Sequence, residues 1–146
     1  MARPDAKLQT LMRLLSHREA EAKRRLAAHR EAVAGAEAQA EQLSGLAREY
    51  ETRLQTAGSA GLNAGEMRMW RQFNRSLGDV VDVQGVQVER LRAELEQAQS
   101  ACLAALVKRR GGERLEASER HRQASLERRR ERVQASDQAA RRDRSD

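Results

Sequence analysis

One spacing constrains this chain more than anything else in it. Positions 8, 12, 15, 19, 22, 26, 29, 33, 36, 40, 43, 47, 50 and 54 hold Leu, Met, Leu, Glu, Ala, Leu, His, Val, Ala, Ala, Leu, Ala, Tyr and Leu. Twelve of these fourteen are apolar or aromatic, and only Glu19 and His29 interrupt. Alternating steps of four and three keep one seam turned toward a partner helix in a left-handed supercoil. A matching seam follows at Trp70, Phe73, Leu77, Val81, Gln84, Val88, Leu91, Leu95, Ala98, Cys102 and Ala105. Between the two lies the one plain break in the pattern, residues 56–65, with Gly58, Gly61 and Gly65. Glycine tolerates the backbone angles of a reversal and weakens a continuous helix. Asn63 followed by Glu66 has the spacing of a capping box opening the next helix.

The sequence therefore predicts an all-α fold: a long antiparallel two-helix coiled coil, or α-hairpin, with a C-terminal helical overhang. The expected elements are a helix over about 5–55, a glycine-rich turn over 56–64, and a second helix over 65–140. Composition agrees. Ala, Glu, Lys, Leu and Arg supply 85 of 146 residues, above the roughly half that marks coiled coils. A single Trp, Tyr and Phe leave little material for a compact core. Pairs such as Glu21 with Arg25 and Glu49 with Arg53 have the favourable i, i+4 order of a solvated helix face. No apolar run reaches the length of a membrane span, and no signal peptide is evident. The lone Cys102 fits a reducing compartment.

Two features exceed a minimal hairpin. Counting outward from Gly61, Asp5 falls level with Ala117, so the first helix runs out and an overhang begins at about residue 115. The nearby Gly111 and Gly112 suggest a bend or frayed turn. Residues 108–146 carry 13 basic and 8 acidic side chains, which is +5 of the net charge of +6. In this segment Arg128, Arg129, Arg130 and Arg132 form a dense basic band, flanked by Leu126 and Val133. Near the turn, Phe73, Val80, Val83 and Val86, with Leu46 on the facing helix, spill beyond one seam. A wider local core or self-association would account for the surplus; the alternative is an apolar docking stripe near the turn, since contiguous exposed apolar surface usually marks an interaction site.

Catalytic chemistry is not evident. His17, His29 and His121 lack metal-ligand spacing to Cys or carboxylates. No glycine-rich phosphate loop follows a strand, and a two-helix rod offers no concave substrate pocket. The sequence thus predicts neither an enzyme nor a cofactor. Nucleic-acid binding is disfavoured, because the basic segment contains interspersed glutamates and no aromatic for base stacking.

The segments Arg48-Glu-Tyr-Glu-Thr-Arg-Leu54, Ser59-Ala-Gly61 and Trp70-Arg-Gln-Phe-Asn-Arg-Ser-Leu77 resemble the FliJ family of the flagellar type III protein export apparatus. An aromatic before the loop, Ala-Gly within it and Gln-Phe-x-x-x-Leu after it recur in that family. The resemblance implies a non-catalytic stalk similar to the γ subunit of rotary ATP synthases. Its partners would be the centre of a FliI-like ATPase hexamer, a FlhA-like export gate and export chaperones. It would be cytoplasmic, at the inner-membrane face of the flagellar base. The family's gate-binding positions fall on Gln39, Leu43, Tyr50, Phe73 and Leu77, with different residue types at Leu46, Val80 and Gln84. Several of these are also seam positions, and a fully buried residue cannot dock a gate. The rival readings are the equivalent stalk of a virulence injectisome and a structural coiled-coil adaptor with no ATPase partner.

Overall fold

The computed structural model describes residues 4–145. It consists of two helices, α1 (Pro4–Ser59) and α2 (Ala64–Ser145), packed against each other as an α-helical hairpin. The expected turn over 56–64 is shorter in the structure. Residues 56–59 complete α1, because Thr56 and Ser59 donate their hydroxyls to the carbonyls of Thr52 and Gln55 at 3.0 and 3.1 Å, as helical residues do. The helix stops where Gly61 takes a positive φ of 88°, the left-handed cap that glycine adopts without strain. The Ala60 N–H is shared between the carbonyls of Thr56 and Ala57, at 3.1 Å to each. The Asn63 side chain then accepts from the Glu66 N–H at 2.8 Å, which caps the start of α2 as its spacing predicts.

The chain divides into two compact units. One is Glu21–Leu103, and the other joins α1 up to Ala20 with α2 from Ala104. In the first, the core is the seam itself, with Val33, Ala36 and Val88 buried. Here the structure corrects one seam position. The strict alternation of three and four passes through Met67, Trp70, Asn74 and Leu77, all partly covered, while Phe73 lies 46 % exposed beside the seam. Asn74 occupies the inward position and donates to the Tyr50 carbonyl at 3.5 Å, while its own carbonyl oxygen is buried with no hydrogen-bond partner among the described residues. Across the seam edge, Arg92 donates to Glu37 at 2.9 Å, and this bond holds the guanidinium above its ordinary pKa.

In the other unit, the seam of α2 continues past Ala105 through Arg109, Gly112, Glu116, Glu119 and Gln123, each at least partly covered. No frayed turn forms at Gly111 and Gly112, since α2 runs unbroken through them. Gly112 is instead a place of close approach. A Cβ there would lie 2.7 Å from Leu15 Cδ1 and 2.8 Å from Met12 Sδ. Glu19, the charged interruption in the seam of α1, is only 4 % exposed and pairs with Arg109, which also pairs with Glu113. A buried charge of this kind requires such a partner and is well suited to fixing register. Pairing extends further than expected. Gln123 donates to Asp5 at 2.9 Å, so the overhang begins near Ala124 rather than near residue 115. Long side chains lean toward the N-terminus of their own helix, so in an antiparallel pair the contacting residues are displaced from those at the same level. Every residue from Ala124 to Ser145 is exposed.

Candidate functional site

All three aromatic residues of the chain meet in the unit Glu21–Leu103, just beyond the turn. The rings of Tyr50 and Phe73 lie 5.0 Å apart, edge to face; those of Tyr50 and Trp70 are 6.1 Å apart, and those of Trp70 and Phe73 6.3 Å. These separations are typical of favourable aromatic pairs. Arg53 covers the Tyr50 ring at 5.4 Å. A shallow depression lined by Tyr50, Met69, Trp70 and Phe73 opens on this cluster. Met69 is the member that sequence reasoning missed; its position four residues before Phe73 places it on the same helix face.

Around the cluster runs a two-helix stripe. On α1, Gln39, Leu43, Leu46 and Tyr50 follow steps of four, three and four, and on α2 Phe73, Leu77, Val80 and Gln84 do the same. Each set shares one helix face. Two cross-helix contacts join the sets: Tyr50 against Phe73, and the Gln84 amide donating to Gln39 at 3.4 Å. None of the eight is buried. Leu43, Tyr50, Leu77 and Gln84 are partly covered and Gln39 is exposed, while Leu46 and Val80 are 40 % and 49 % exposed. Leu43, Tyr50, Leu77 and Gln84 are seam positions that stay partly open to solvent, and Gln39, Leu46, Phe73 and Val80 flank them.

A different arrangement holds at the end of α2. Leu126, Arg128, Arg129, Arg130, Arg132 and Val133 are all exposed. The Arg128 guanidinium bonds back to the Ala124 carbonyl at 3.3 Å. Successive residues step 100° around a helix, so the four arginines point to several sides rather than forming one face. Residues 124–145 hold seven basic and four acidic side chains. Among the described residues, no group of three potential metal ligands comes together, and no helix is long and apolar enough to cross a membrane.

No curated protein and no solved structure matches the chain. A family model described as the flagellar FliJ protein matches residues 4–143. That span takes in both helices, the glycine cap and nearly all of the exposed basic segment. The likeness first carried by Tyr50, Gly61 and Phe73 thus extends through the whole hairpin, and the chain belongs to the flagellar FliJ protein family.

Proposed function

We propose that this chain is the stalk of a flagellar type III export apparatus. In this reading the exposed end of α2 enters the centre of a FliI-like ATPase hexamer and promotes its assembly. The stripe from Gln39 to Tyr50 and from Phe73 to Gln84 docks on a FlhA-like export gate, and the hairpin also receives export chaperones. The protein acts by binding, without catalysis of its own, at the cytoplasmic face of the flagellar base.

The observation that carries the reading is the run of exposed residues from Ala124 to Ser145 in a chain of this family. A single helix with mixed charge and few apolar side chains fits a contact in a ring's central hole that must form and release. Polar contacts of this sort set orientation and association rate rather than tight affinity. The test is ATPase stimulation. Replacing Arg128, Arg129 and Arg130 with Glu is expected to abolish stimulation and ring assembly while leaving thermal melting unchanged. Raising salt from about 50 to about 500 mM shortens the Debye length from roughly 14 to roughly 4 Å and should weaken the wild-type interaction. Full stimulation by the triple variant would reject the ring contact.

A further inference from the structure

The unit formed by α1 up to Ala20 and α2 from Ala104 carries an apolar surface of its own. Its seam separates two flanks of different character. On one, Gln9 and Arg120 join the seam residues Leu8, Glu116 and Glu119 around a shallow groove of mixed polarity. The other carries Lys7, Leu11, Leu14 and Arg18, whose steps of four, three and four place them on one face of α1. Lys108 and Leu115, seven residues apart, stand at the corresponding phase of α2. Leu11, Leu14 and Leu115 are 37 %, 43 % and 54 % exposed. Lys7, Arg18 and Lys108 are exposed, and no ion pair engages them among the described residues. No carboxylate occupies either stripe over this length.

We infer that this flank docks an amphipathic helix whose apolar stripe is edged by carboxylates. The groove between two antiparallel helices is a natural seat for a third, which buries its apolar stripe while its polar edges meet the rim. Three leucines supply the apolar floor. Cations at Lys7 and Arg18 bracket the two α1 leucines, and Lys108 adds a third on α2, so an acidic edge is attracted and a basic one repelled. A second copy of this chain is a poor occupant, because a two-fold contact through the same patch would set like charges against one another. None of these six residues belongs to the proposed ring or gate contacts, so the inference stands apart from them.

The experiment uses the full chain and a fluorescent synthetic helix of about five turns with leucines at three- and four-residue spacing. Its edges carry Glu, Gln or Lys in three otherwise identical versions. The Glu-edged helix is expected to bind at least roughly tenfold more tightly than the Gln-edged one, with the difference shrinking at high salt. Leu11→Ala with Leu14→Ala should abolish binding. Lys7→Glu with Arg18→Glu, which leaves the packing untouched, should reverse the preference toward the Lys-edged helix. Equal binding of the Glu- and Gln-edged helices overturns the inference, as does an unchanged preference in the charge-reversed variant. A wild-type dimer in sedimentation that becomes a monomer on Leu11→Ala and Leu14→Ala also overturns it, by showing the occupant to be a second copy.

Discussion

At the scale of single residues, neighbours in sequence have opposite duties. Gly111 and Gly112 sit side by side in α2, yet a Cβ on Gly111 meets open space while one on Gly112 meets Leu15 and Met12. Gly111→Ala should raise stability by about 1 kcal/mol through helix propensity alone. Gly112→Leu should lower the melting temperature, because it forces a branched side chain into space already filled from α1. Equal effects of the two substitutions would show that α1 does not pack over Gly112. Phe73 and Asn74 form a second such pair. The apolar residue reads as core in the sequence, but the period selects the amide for the seam and leaves the ring at its border. Phe73 therefore has surface to offer. Phe73→Ala and Leu46→Ala are each expected to weaken gate binding, and loss of an aromatic anchor commonly costs about 2 kcal/mol, roughly thirtyfold in affinity. Circular dichroism should show the hairpin intact and ATPase stimulation should persist; unchanged gate affinity in a folded variant would reject the stripe.

At the scale of elements, legibility followed periodicity. All fourteen seam positions of α1 are at least partly covered, including Glu19 and His29, so spacing outweighed residue type. The continuation of the α2 seam through Arg109, Gly112, Glu116, Glu119 and Gln123 kept the same spacing. Residue type conceals it, because none of these five positions carries an apolar side chain. The end of α1 was misplaced for a related reason: glycine content indicates that a helix can end, but only the positive φ of Gly61 fixes where. The charges and exposure of the basic segment were legible, whereas its boundary depended on the Asp5–Gln123 bond between residues far apart in sequence. This boundary matters for any deletion. Truncation after Gln123 is expected to abolish ATPase stimulation with little change in melting. Truncation after Gly112 should also lower the melting temperature, because it removes the seam positions Glu116, Glu119 and Gln123.

At the scale of the whole molecule, the two units differ in what they bury. Within Glu21–Leu103 both helices bring apolar seam residues, reinforced by the aromatic cluster and by Val33, Ala36 and Val88. In the other unit α1 brings Leu8, Met12 and Leu15, whereas α2 offers Arg109, Gly112, Glu116, Glu119 and Gln123. Apolar burial is the main favourable contribution to packing, so leucines set against glutamates gain less than leucines set against valines. Amide exchange should therefore be slowest within residues 33–54 and 77–98, faster in 4–18 and 105–123, and fastest in 124–145, since local opening follows local burial. The polar seam is the cause assigned to this gradient, and substitution can separate it from fraying at a chain end. Glu116→Leu combined with Glu119→Leu is expected to stabilise by about 1–3 kcal/mol, allowing for loss of the pairs with Arg120 and Arg122, which are surface interactions of small individual value. Exchange in 4–18 should slow in this variant while exchange in 43–54 stays as it was. If 4–18 exchanges as fast in the double variant as in the wild type, proximity to the chain end rather than the polar seam sets its stability.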